Sequence, residues 1–216
     1  MKNNMFYSKR FFCLEGIDGS GKTTQLQMLA SALKERGYSV VSIREPGGSL
    51  ISEKIRALLL DKSFKGLMSD KAELMLYNAA RAQVIEEIIL PALDAGNIVL
   101  ADRFAFSTLA YQGYGRKLDL EMIKQLSSIT CKNCFPEMTF ILDIHPTEGK
   151  MRRNADGKIP DRLEAEADSF FLKVQNGYKQ IHEDFKSCTM LLDAKTPKEI
   201  LHETILNSVL EKLKSC

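Results

Sequence analysis

The chain predicts a three-layer α/β fold, with a five-stranded parallel sheet flanked by helices, and three observations carry that expectation. Short apolar runs alternate with longer stretches of helical period, the pattern of strands buried on both faces and joined by helical crossovers. The first apolar run ends directly in a glycine-rich turn that opens a helical stretch. With 216 residues, 44% of them hydrophobic, the chain can bury a full core as one domain, 1–216.

The apolar runs lie at 11–15, 38–43, 97–101, 138–143 and 188–193, each closing on a charged or turn residue. Helical patterns fill 22–36, 50–61, 70–94, 104–131, 163–185 and 197–213, with a break expected near Gly113 and Gly115. The last helix has a marked start: Thr196, Pro197 and Glu199 supply an N-cap, a first-turn proline and a capping-box acid.

Gly16-Ile17-Asp18-Gly19-Ser20-Gly21-Lys22-Thr23-Thr24 fits G-x-x-x-x-G-K-[ST], the phosphate-binding loop of P-loop NTPases. Glycines let the backbone curl so that successive N–H groups point at an anion, and the helix behind adds the positive end of its dipole. Lys22 can then reach terminal phosphates, and Thr23 offers a hydroxyl to Mg²⁺. A glycine-rich turn that binds nothing is the bland alternative. The strand before the turn and the helix after it favour phosphate.

Ligands of such sheets gather at the carboxyl ends of the strands. The second run leads into Arg44-Glu45-Pro46-Gly47-Gly48, the third into Asp102-Arg103, and the fourth, through Asp143, into a basic loop. Asp102 suits a carboxylate that orients Mg²⁺, unless it only caps the next helix. Arg103 suits a phosphate, because a guanidinium grips oxyanions bidentately, and Arg44 or Arg56 offers a second such grip. Tyr77 and Arg81 share a helix face, as do Thr108, Tyr111 and Gln112. Either cluster reads equally well as base recognition or as core packing. Residues 146–162 hold Lys150, Arg152, Arg153, Lys158 and Arg162 between glycines and prolines, which fits a mobile lid closing over a triphosphate better than a solvated loop.

Composition excludes several classes. A net charge of +2 does not point to nucleic acid, and no apolar run reaches the length of a membrane span. The run behind the basic first ten residues is too short for a signal peptide, so a soluble, cytoplasmic protein is expected. Five scattered cysteines argue against a disulfide framework, and the lone Cys131-x-x-Cys134 reads as ordinary thiols near a loop rather than a redox or metal site.

Taken together, Glu15-Gly-Ile-Asp-Gly-Ser-Gly-Lys-Thr-Thr, Arg44-Glu-Pro-Gly-Gly, Tyr77-Asn-Ala-Ala-Arg-Ala-Gln83, Asp102-Arg-Phe, Ser107 through Ala110-Tyr-Gln-Gly113, and Asp161-Arg-Leu-Glu164 resemble bacterial thymidylate kinases, over most of the chain. The phosphate loop alone is shared by many families; the set in this order is specific. The resemblance implies phosphoryl transfer from ATP to dTMP with Mg²⁺, in a homodimer. It implies that 16–24 hold ATP, with Thr23 and Asp102 at the metal, and that Asp18 faces the acceptor's sugar or orders the metal. By position, Arg103 and Arg56 bind the dTMP phosphate, while Arg44, Glu45 and Pro46 line the acceptor site. Tyr77 takes the place of a stacking phenylalanine, Arg81 meets thymine O4, Thr108 and Gln112 reach the base, and Tyr111 crowds the 2′ position.

Such kinases place an arginine at the transferring phosphate, from the phosphate loop or from the lid. The loop position that could carry it is Gly19, so the resemblance assigns it to the lid, to Arg153 ahead of Arg152, both beside ATP. Two other readings stay open. One is a kinase for another nucleotide or nucleoside. The other is a GTP-type switch or a regulatory ATP-binding module: the missing Asn-Lys-x-Asp motif disfavours the switch, and the second set of arginines suits a second phosphorylated ligand, for which a switch has no use.

Overall fold

The computed structural model describes residues 7–132, 134–155 and 160–214. Five strands, β1 (Tyr7–Glu15), β2 (Val40–Arg44), β3 (Ile98–Asp102), β4 (Phe135–Asp143) and β5 (Thr189–Asp193), form one sheet in the order β2-β3-β1-β4-β5. Every pairing is parallel. β1 is central: the chain runs from it to β2 and β3 on one side, then crosses to β4 and β5 on the other. Its carboxyl end is therefore where the connections part, the place where such sheets bind ligands.

The strand interior explains the three layers. Phe12 and Leu14 pack with Leu26, Leu29 and Leu33 of α1 (Lys22–Glu35) and with Ile205 and Val209 of α9 (Lys198–Lys214). Phe11 and Cys13 point the other way, into a second cluster with Val84, Ile85, Ile89 and Phe104. Alternate side chains of one strand thus anchor both helical layers. Truncating either phenylalanine to Ala costs about 3–5 kcal/mol by the usual scale for buried aromatics.

Several boundaries differ from the sequence expectation, each for a physical reason. β1 and β4 begin earlier than their apolar runs, pairing Tyr7 with Phe135 and Ser8 with Pro136. Lys9 and Arg10 are exposed, and the register shifts between Ser8 and Phe12, so this first stretch of pairing leaves no apolar signature in the sequence. The helix expected at 70–94 is α3 (Asp70–Val84), a π turn (Ile85–Ile89) and α4 (Leu90–Asp94) in unbroken succession. The wide turn falls just before Pro91, which cannot donate to an α-helical ladder. Likewise α5 (Ala105–Thr108) runs on as a π turn (Leu109–Gly115), and α6 (Leu120–Cys131) begins only after the break.

The helix expected from 163 is α8 (Asp168–Asp184), because Asp161 Oδ1 accepts the amides of Leu163 and Glu164 and holds a turn there. At α9 the Thr196 amide donates to Asp193 O, and no capping box with Glu199 forms among the described residues.

The basic segment 146–162 is the largest difference. Its first ten residues are a helix, α7 (Pro146–Ala155), rather than a loop. Lys158 lies outside the described residues. Arg162 is buried, donating to Leu59 O and pairing with Glu73 at 2.6 Å, so it anchors the segment instead of facing phosphate.

Candidate active site

The turn between β1 and α1 needs its glycines: Gly16, Gly19 and Gly21 all have positive φ (137°, 82° and 92°). Gly19 is constrained further. A Cβ there would run into the backbone of Gly149 in α7, and one on Gly149 would stand 2.6 Å from Asp18 O. α7 therefore rests on the glycine-rich turn backbone to backbone. Gly149→Ala should push α7 off the loop, lowering kcat about tenfold at a stability cost of about 1–3 kcal/mol, checked by steady-state kinetics and thermal melting. An unchanged kcat would show that the contact is only structural.

Lys22 is buried and donates from Nζ to Ile17 O at 2.9 Å. Burial, and then the Arg103 charge, push its ammonium pKa down. Thr23 Oγ1 donates to Asp102 Oδ2 at 2.5 Å, so strand end and helix start meet. These residues line a cleft of about 920 Å³ with Ser20, Thr24, Arg44, Arg152 and Arg153, and with 194–198 beyond β5.

A smaller pocket of about 120 Å³ adjoins it, sharing Asp18, Glu45, Arg56, Arg103 and Glu164. Its other walls are Pro46, Leu60, Tyr77, Ser107, Thr108, Tyr111, Gln112, Asp161 and Leu163. Arg103 sits between the two cavities in a left-handed conformation (φ 72°) that an arginine seldom adopts. Its Nη2 donates to Asp18 Oδ1 at 2.7 Å and to the Tyr111 hydroxyl at 3.1 Å; its Nη1 donates to Gly16 O at 2.9 Å. Burial works to raise the Asp18 pKa, but Arg103 and Lys22 outweigh it and hold the carboxyl far below its usual range. Thr108 is buried in this pocket, its hydroxyl without a partner among the described residues. Arg56 donates to Pro46 O at 2.9 Å, across a cis Glu45–Pro46 bond.

Three expected contacts are placed differently from one another. Arg44 is exposed, paired with Glu53 at 3.1 Å on the rim of the large cleft, and lines no part of the smaller pocket. Arg81 lines neither cavity: it is 2% exposed, paired with Glu45 at 2.8 Å, and donates to Phe104 O. Yet Arg81 Nη1 and Glu45 Oε1 are both buried without partners among the described residues. Burial pushes the Glu45 carboxyl up to about 7 against the pull of Arg81. Arg152 turns to Ala194 O at 3.0 Å, whereas Arg153 lines the cleft and also a small cavity beside Asp18 and Glu164, its Nε buried and without a partner among the described residues.

Sequence reasoning assigned no role to Glu15, Ser107 or Tyr178. Glu15 is fully buried and accepts the amides of Phe104 and Ser107 and the hydroxyls of Ser107 and Tyr178. It thereby holds the turn that carries Arg103. The signal was an acid closing an apolar strand. The loop 194–198 was also missed, although the rule of strand carboxyl ends applies to β5 as well.

Cys13, Cys131 and Cys134 are free and buried, and burial pushes the thiols of Cys131 and Cys134 up to about 12, which leaves them unreactive. Among the described residues no cluster of His, Cys, Asp or Glu could hold a metal by itself, and no helix is long and apolar enough to cross a membrane.

Comparison with known proteins agrees with this geometry. The family model described as thymidylate kinase matches residues 14–205. A thymidylate kinase of Prochlorococcus marinus (strain MIT 9312) is 45% identical over 206 residues, covering 92% of this chain and 96% of the relative. One from Syntrophotalea carbinolica is 46% identical over 204 residues, covering 92% and 94%. The crystal structure of thymidylate kinase from Ehrlichia chaffeensis superposes with a TM-score of 0.74 at 32% identity, over 93% of this chain and 97% of that one. A phosphate loop, a second pocket joined to it through Arg103, and near-full-length relatives converge: the chain belongs to the thymidylate kinase family.

Proposed function

We propose that the large cleft holds ATP and the smaller pocket holds dTMP, tail to tail, within one domain. The observation that carries this is the shared wall: Asp18 and Arg103 line both cavities, so two phosphate groups would meet there. The loop 16–24 cradles the donor phosphates, and Lys22 follows the transferring group. Arg103 and Arg56 grip the acceptor phosphate, with Arg44 at the rim, and Asp18 keeps Arg103 oriented. Pro46, Tyr77, Thr108, Tyr111 and Gln112 enclose sugar and base. α7 brings Arg153 to the junction and serves as a lid that excludes water, a competing acceptor. No general base is required, because the acceptor is already an anionic oxygen.

Mg²⁺ fits the oxygen donors present. Thr23 and Asp102 place a hydroxyl and a carboxylate side by side in the cleft, the sparse protein share that Mg²⁺ takes when phosphates and water complete its shell. Bound there, it would neutralise charge on the donor phosphates.

Arg81 and Glu45 support the base end. Arg81 lines neither cavity as it stands, so the contact expected with thymine O4 would require its unpartnered Nη1 to be uncovered when the base binds. Arg81→Ala should raise KM for dTMP more than KM for ATP, and should lower the melting temperature because Glu45 is left buried and alone, a loss of about 3–5 kcal/mol. Equal KM changes would count against base contact.

A homodimer is supported by exposed apolar side chains on adjacent helices: Ile51 and Leu58 on α2 (Leu50–Leu60), Met75 on α3 and Ile129 on α6. Light scattering tests it. Free buried thiols fit a cytoplasmic setting. A coupled ADP-release assay across the nucleoside monophosphates tests the whole reading. Turnover of dUMP or a nucleoside well above dTMP would point to another kinase, and ATP binding without dTMP-dependent ADP release would point to a regulatory module.

A further inference from the structure

Glu73 of α3 is 1% exposed and has no expected contact with either nucleotide. Its Oε1 accepts from Gln112 Nε2 at 2.8 Å and from Arg116 Nε at 3.2 Å. Its Oε2 accepts from Arg116 Nη2 at 3.2 Å and Arg162 Nη2 at 2.6 Å. Two guanidiniums on one carboxylate keep it ionised, and an ionised carboxylate can only accept.

That polarity fixes the amide of Gln112. A side-chain amide has a donating and an accepting face, and only the donating face can meet Glu73. Oε1 is then the group Gln112 offers to the pocket it lines, and it has no partner among the described residues. The pocket is polarised: Arg56, Arg103 and Asp18 stand at the end shared with the cleft, while Tyr77, Thr108 and Gln112 belong to the smaller pocket alone. A phosphate at the arginines puts the base beside Gln112. Thymine and uracil carry a ring N–H between two carbonyls, which can donate to Oε1. Cytosine has a lone pair at the same ring nitrogen. The Thr108 hydroxyl can donate or accept, so it cannot tell them apart.

We propose that Glu73 is a positioning residue that sets acceptor choice, locking the Gln112 carbonyl toward the pocket so that it admits 4-keto pyrimidines and rejects 4-amino ones. This rests on the functional reading above and names a group behind its selectivity at the ring N–H, alongside the O4 contact expected of Arg81. A bland alternative is that Glu73 only ties Arg116 and Arg162 together.

Steady-state turnover of dTMP and dCMP by the full chain and by Glu73→Gln separates the two. A glutamine at 73 can present either face, so Gln112 is free to flip. Expected is a loss of about tenfold in kcat/KM for dTMP, mainly through KM, with the ATP KM unchanged and the dCMP:dTMP ratio raised about tenfold or more. A fall for both acceptors with an unchanged ratio would overturn the inference alone; a wild-type enzyme that ignores dTMP would overturn the functional reading with it. Should the variant not fold, wild-type enzyme with N3-methyl-dTMP decides: at least a hundredfold loss against dTMP is expected, and comparable turnover defeats the proposal.

Discussion

Lys22→Ala lowers kcat by about 10²–10³-fold while leaving the protein folded, since the lost group serves charge that grows during transfer. Stability should change little. Among the described residues the buried ammonium makes one hydrogen bond, to Ile17 O, and lies beside both the like-charged Arg103 and the carboxylate of Asp18, so losing it removes a repulsion and an attraction together. The net shift is expected to stay within about 1 kcal/mol. KM for dTMP should hold, because the acceptor's own pocket does not include Lys22. ADP release and a thermal melt measured on one preparation check both halves. A near-normal kcat would remove Lys22 from the transfer step, and a collapsed melting temperature would make its role structural.

Arg153→Ala should cost kcat about 10³-fold or more, the range found when an arginine at a transferring phosphoryl is removed. Arg152→Ala should instead raise KM for ATP a few-fold. The two neighbours on α7 diverge because Arg152 reaches Ala194 O, at the far wall of the cleft. Arg153 lies against Asp18 and Glu164, with a buried Nε that nothing in the described protein satisfies. Arg153→Lys should rescue only part of the loss, since an ammonium cannot reproduce a planar fork of donors. Comparable losses from the two alanine variants, read in the same assay, would return the question to either residue.

How much was legible before folding can be judged from particular residues. The loop 16–24 was readable because its chemistry is local: glycines, lysine and threonine act within a few residues of one another. The strands were readable because burial on both faces leaves an apolar signature, as in β3, where every residue is buried. The start of α8 was misplaced because Asp161 holds a turn that periodicity cannot see. Arg162 looked like one more lid cation, although it is a buried partner of Glu73, 89 positions away. Arg81 shares a helix face with Tyr77, yet only Tyr77 lines the smaller pocket.

By itself the sequence determined the layered sheet, the phosphate loop and the identities of the charged groups gathered at the strand ends. Local spacing and side-chain chemistry suffice for those, because each rests on neighbours in the chain. Which groups each guanidinium meets, and whether it lines a cavity, was decided only by the tertiary structure. A cation will satisfy whichever carboxylate or carbonyl is nearest in space, and that neighbour comes from a different element: Glu45 for Arg81, Glu73 for Arg162, Asp18 for Arg103.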